Sequence, residues 1–142
     1  MTVRLASPVI VLLVALAGCG GGESPRLSVS ITDACGTGDG KTVVVEGYLR
    51  LPETLKITDT ARIKLFAATR GRGTDVEVEF PIGEGPNQLR DVPAKFSVTS
   101  LRVQSADGGT VTINDRVELT ATVSNDDAGC VLREPQVVLI TG

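Results

Sequence analysis

Asp75-Val76-Glu77-Val78-Glu79-Phe80 alternates acidic and apolar side chains without a break. A period of two belongs to a pleated strand, so Val76, Val78 and Phe80 share one face and the three carboxylates share the other. The same period runs outward in both directions. Upstream, Ala61 to Ala68 turns Ala61, Ile63, Leu65 and Ala67 inward and Arg62 and Lys64 outward. Thr42 to Leu51 places Val43, Val45, Gly47, Leu49 and Leu51 on one face, and Leu27, Val29 and Ile31 alternate with Ser28, Ser30 and Thr32 as a first half-buried strand. Downstream, Leu101 and Val103 lead into Asp107-Gly108-Gly109, a hairpin signal followed by Val111 and Ile113. Arg116 to Val123 buries Val117, Leu119, Ala121 and Val123, and Gln136 to Ile140 reads as a continuous apolar strand covered on both faces. Glycine-rich or Asn/Asp-rich turns separate these runs, no long window carries a helical stripe, and Asn87 to Ser100 has room for one short helical turn. There is no internal repeat.

The pattern predicts an all-β domain of about five to seven strands, closed as a small antiparallel barrel, with an immunoglobulin-like sandwich as the alternative. Gly47, in the middle of a long strand, favours the barrel, because a mid-strand glycine marks a bulge or a sharp bend. The order of long bent strand, two strands, irregular segment and further strands resembles the OB-fold over residues 41–140. The resemblance is topological and rests on no diagnostic motif. The chain departs from nucleic-acid-binding OB-folds in lacking an aromatic platform and a basic groove, and it lacks the Trp of immunoglobulin domains.

Composition narrows the chemistry. The 142 residues carry 14 Lys+Arg and 17 Asp+Glu, with a formal net charge of −3, no His and no Trp. A mildly acidic chain whose aromatics are Tyr48, Phe66, Phe80 and Phe96 offers neither the cations nor the stacking surface of a nucleic-acid binder. Without His, His-based triads and His-ligated metals are excluded. No cofactor and no metal are expected.

The N-terminus carries an address. Arg4 precedes the apolar run Val9 to Ala17, which is too short to span a bilayer and fits the core of a secretory signal. The run ends in Leu16-Ala17-Gly18-Cys19. These four residues resemble the lipobox of bacterial lipoproteins: an aliphatic residue, a small residue, Gly or Ala, and Cys. The resemblance implies diacylglycerol attachment to Cys19, cleavage after Gly18, and an anchor in membrane lipid. It divides the chain into a signal peptide (1–18), a lipidated Cys with a Gly-rich tether (19–25), and one all-β domain (26–142). Fully extended, the tether reaches roughly 20–25 Å. Gly20 follows the Cys where Asp marks retention in the inner membrane, so the expected location is the outer membrane of a two-membrane envelope, or otherwise the outer face of the cytoplasmic membrane.

Four constellations invite a chemical reading. Cys35 to Thr42 has a Gly-rich, Lys-Thr ending like a phosphate loop, but Cys35 stands where that loop needs Gly, and a strand follows instead of a helix. Asp75, Glu77 and Glu79 have a spacing near that of glycosidase carboxylate pairs, yet the buried Val76, Val78 and Phe80 between them predict a fully solvated face. Asn125-Asp126-Asp127 supplies three oxygen-bearing side chains, fewer than a tight calcium site requires, and reads as a turn. The segment from Phe80 to Leu89 is the candidate binding loop, with Ile82, Glu84, Asn87, Gln88 and Leu89 as its site residues; otherwise Ile82 and Leu89 plug an open barrel end.

With Cys19 consumed by lipid, Cys35 and Cys130 form an even pair in an oxidising compartment, and a disulfide is expected. No catalytic residue is identified. The expected function is a membrane-anchored binding or structural module of the cell envelope, with an envelope protein or glycan as partner. A carboxylate-dependent envelope hydrolase is the first alternative and an OB-type nucleic-acid-binding domain the second.

Overall fold

A computed structural model describes residues 25–90 and 92–141. Five long strands build the domain: β2 (Thr42–Arg50), β3 (Thr60–Ala68), β4 (Arg72–Pro81), β7 (Arg116–Asp126) and β8 (Gly129–Leu139). Three short strands accompany them: β1 (Leu27–Ser28), β5 (Val103–Gln104) and β6 (Thr110–Val111). The sheet runs β2-β3-β4-β8-β7, and β7 pairs back onto β2 from Thr42↔Thr122 to Tyr48↔Arg116, which closes it into a small OB-like barrel. The inward face of each strand is apolar, and the core is a single cluster that includes Val45, Leu49, Ile63, Leu65, Val78, Phe80, Leu119 and Leu132.

Closure requires β2 to bend, and Gly47 is where it does. On one edge β2 pairs with β1 at Val43 and Val44, then with β3 from Tyr48 to Arg50, so the partner changes across Gly47. A Cβ at this position would collide with the carbonyl oxygen of Phe66 and lie 3.1 Å from both Ile31 Cδ1 and Leu65 Cγ. Only glycine lets the two backbones approach so closely. A second irregularity lies in β8, where Thr120 pairs with Gln136 but Thr122 pairs with Arg133. Glu134, at φ 52°, and Pro135 together stand opposite the single residue Ala121, so the strand proline is accommodated at a one-residue bulge.

The structure departs from the sequence reading in four places. The barrel is mixed: β4 and β8 run parallel, in register only at Glu77↔Val131 and Val78↔Leu132. The expected first strand stops at Ser28, both of its residues are exposed, and Ile31–Ala34 form a helical turn, α1. Ser30 caps that turn, its Oγ accepting from the Asp33 N–H, and this local bond outweighs the weak strand alternation. Ala67 is exposed, because the ladder shifts between Phe66 and Ala68 as β3 enters its turn. The last strand is covered on one face only, with Val137 buried and Val138 45% exposed.

The parallel seam between β4 and β8 is short, and both of its ends are covered by other segments. At one end α1 buries Ile31 and Ala34 against the barrel, and the Thr32 hydroxyl meets that of Thr74 on β4. The Cys35–Cys130 disulfide, with Cα atoms 5.9 Å apart, ties that covering segment to β8. At the other end, residues 82–90 and the β5–β6 hairpin fill the gap. There Leu89 N donates to Pro81 O, Val137 N donates to Asn87 Oδ1 and Ala106 N donates to Val137 O.

Candidate functional site

The outer face of β3, β4 and β8 carries a lattice of alternating charge. It follows from register: Arg62 stands opposite Glu79 and Lys64 opposite Glu77, so the outward acids of β4 meet the outward cations of β3. Arg62 Nη2 lies 2.5 Å from Asp126 Oδ2 of β7, and its Nη1 lies 3.7 Å from Glu77. Lys64 reaches Asp75 at 3.2 Å. Arg133 of β8 bridges Glu79 (2.9 Å) and Asp126 (3.4 Å), and the Thr60 hydroxyl donates to Glu79 at 2.9 Å. The Arg133 Nε–H is not aligned on an acceptor, so its contact with Glu79 is electrostatic rather than a directed hydrogen bond. All three carboxylates are therefore paired, and Glu77 and Glu79 are half-buried, not fully solvated as the alternation alone suggested; Asp75 stays exposed. The cations opposite them cover what the strand pattern leaves open.

Hydrogen bonding from Arg62 holds the Asp126 carboxyl below the usual carboxylate range, with help from the Ala128 N–H and the charges of Arg62 and Arg133. The same bond raises Arg62 above its ordinary value. A general acid must hold its proton, which calls for an apolar pocket. These carboxylates face guanidinium and ammonium groups instead. Asp126 is equally unsuited to calcium, since a cation would have to displace two arginines from it.

Above this lattice the connection from β2 to β3 arches over the barrel wall and encloses a groove of about 450 Å³. Pro52, Thr54, Lys56 and Thr58 form its outer lip, while Thr60, Arg62 and Glu79 belong to the wall behind it. Ile57, next to the lip, is 42% exposed. The groove thus offers hydroxyls, one ammonium outside any ion pair among the described residues, and a charged floor. This set suits a polar ligand held by several hydrogen bonds. The sequence reading missed it, because a Pro- and Thr-containing connection carries no chemical motif. The only available signal was the length of that connection, which exceeds a simple hairpin turn.

The sequence-predicted site residues lie elsewhere. Leu89 is fully buried, and Ile82 is half-buried against the core. Asn87 uses its side-chain oxygen to accept from Val137 N, and Gln88 uses its own to accept from Gly85 N. Glu84 is exposed. The structure brings these residues together in the barrel wall, where most of their polar atoms hold the segment itself. Within Cys35 to Thr42, Cys35–Thr37 form a short helical turn, and a glycine-containing turn over residues 38–41 leads into β2 at Thr42. Asn125 donates its N–H to Asp39 Oδ1, which fixes that turn against the end of β7. Cys19 and the lipobox lie outside the described residues. Among the described residues there is no group of three metal-ligating side chains, and no helix is long and apolar enough to cross a membrane.

No protein-family profile matches the chain, and no curated protein matches it. Among solved structures, it is similar to an OBody, AM1L10, bound to hen egg-white lysozyme, with 19% sequence identity and a TM-score of 0.47. That match covers 86% of this chain and 99% of the other.

Proposed function

We propose that the chain is a lipid-anchored lipoprotein of the bacterial cell envelope whose barrel acts as a binding module, with the groove under residues 52–60 as the contact site. The signal peptide ends at Gly18, Cys19 carries the lipid, and residues 20–25 tether the single domain that follows. The observation that carries the anchor is Leu16-Ala17-Gly18-Cys19 directly after a nine-residue apolar run. The Cys35–Cys130 bond supports an exported location, where disulfides persist. Binding is favoured over catalysis because the carboxylates that a hydrolase would use are paired with Arg62, Lys64 and Arg133.

Two experiments test the two parts separately. Labelled fatty acid should enter the parent and be absent from Cys19→Ala, which should also leave the membrane fraction; equal label in both removes the anchor. For the groove, Thr54→Trp and Lys56→Glu alter exposed residues of the lip and leave the ion-pair lattice intact. An envelope component retained by the parent should be lost by the double variant, and equal retention removes the groove assignment.

A further inference from the structure

A second concavity, of about 260 Å³, lies at the opposite end of β2 from its pairing with β1 and is lined by cations without an acid. Arg50, the last residue of β2, and Arg70, at the tip of the β3–β4 turn, both line it, together with Tyr48 and Asn114. Apart from nonpolar side chains and Gly71, nothing else completes its lining, so every charge facing it is positive. Neither arginine takes part in an ion pair among the described residues, whereas Arg62, Lys64, Arg116 and Arg133 all do.

Two further features set this corner apart. Arg50 stands directly across from Lys64 on β3, a like-charge pair that opposes strand pairing. In the adjoining cleft, which shares Arg50, Glu53 is outnumbered by Arg50 and Lys64. Arg70 itself has φ 62° and ψ 28°, a left-handed conformation in which Asn, Asp or Gly is favoured and a long side chain is not. Gly71 follows at φ 66°, and a Cβ there would press on the Arg50 guanidinium at 2.7 Å from Nη1. The chain therefore accepts an unfavourable turn residue and an opposed cation pair at the place where Arg50 and Arg70 line one cleft. Strain held in this way accumulates at binding sites.

We propose that this cleft is an oxyanion-binding site that takes a phosphate or carboxylate group of a small ligand. Arginine pairs with both groups through parallel N–H donors, and the Tyr48 hydroxyl and the Asn114 amide supply neutral donors beside them. A bound oxyanion would also offset the charge of Arg50, which stands across from Lys64. The site is separate from the groove under residues 52–60 and does not depend on the anchor.

The test is a titration of the ¹⁵N-labelled full chain, in neutral detergent, with inorganic phosphate and with acetate, against chloride at equal ionic strength. Saturable shifts at Gly71, Asn114 and Arg50 are expected with an oxyanion and not with chloride. The oxyanion that gives them identifies the ligand group as phosphate or carboxylate. Arg50→Gln should weaken binding by about tenfold, the scale of one charge-assisted hydrogen bond. Arg70→Asn is the sharper variant, because Asn suits the left-handed turn. It should melt no lower than the parent and still lose binding. Shifts equalled by chloride, or unchanged in Arg70→Asn, would overturn the proposal.

Discussion

Arg62 of β3 and Asp126 of β7 are 64 residues apart in the chain and meet at 2.5 Å across the outer wall of the barrel. Two strands that do not pair with each other are joined through this contact, with Arg133 of β8 as its third member.

That pairing has a pH signature. The carboxyl of Asp126 is lower in the folded chain than its ordinary value near 4, so the unfolded chain binds its proton first. The stabilisation is complete above about pH 4 and is lost as the pH falls below it. Asp126→Asn should therefore flatten the loss of melting temperature between about pH 5 and pH 2. A variant as acid-sensitive as the parent would remove Asp126 as a source of that slope.

Reduction of the Cys35–Cys130 bond should cost stability without abolishing the core. A closed loop of this length contributes about 2–5 kcal/mol, depending on how much structure the reduced unfolded chain retains. Thermal melts with and without a phosphine reductant should differ by about 10 °C or more. Because the bond secures α1 beside the short β4–β8 seam, amides of Val131 and Leu132 should lose hydrogen-exchange protection before those of Val45 and Leu119.

Gly47→Ala tests the bend. Its Cβ meets the Phe66 carbonyl oxygen, which is backbone and cannot swing away. Destabilisation of about 2 kcal/mol or more is expected in urea unfolding. A change under about 0.5 kcal/mol would mean that β2 and β3 part easily at that point.

Leu89 and Glu84 separate wall from loop. Leu89→Ala removes a fully buried side chain and should cost about 2–5 kcal/mol. Glu84→Ala, five residues earlier and exposed, should stay within about 0.5 kcal/mol. Equal, small effects would return the segment to the status of a free loop.

Period-two alternation made the long strands and their inward faces legible, since burial of Val43, Val45, Leu49, Ile63, Val78 and Leu119 follows directly from it. Gly47 was legible as a bend because its residue type has few other uses within a strand. The Cys35–Cys130 pair followed from parity together with the expectation of export. What stayed hidden depends on partners distant in sequence. The ion pairs of Glu77 and Glu79 need the β3–β4 register and the approach of β8, and alternation specifies neither. Ile31 misled for a local reason: Ser30 makes a helix cap that outweighs three alternating residues. The segment from Ile82 to Leu89 has the composition of a binding loop, yet the gap it fills exists only because β4 and β8 are parallel and part after two pairs. The cleft at Arg50 and Arg70 joins residues 20 positions apart and carries no motif.

The bond between Cys35 and Cys130 makes the intervening chain a covalent ring that holds β2, β3, β4 and β7 whole. A protease that cuts once within that ring, at the exposed Glu53 or Lys56 for instance, frees no fragment. The nicked protein gains the mass of one water and keeps its full size on a non-reducing gel. It separates into pieces only after reduction and unfolding. A single cut at the lip of the groove would therefore leave the damaged domain attached as one molecule, its strands still able to find one another.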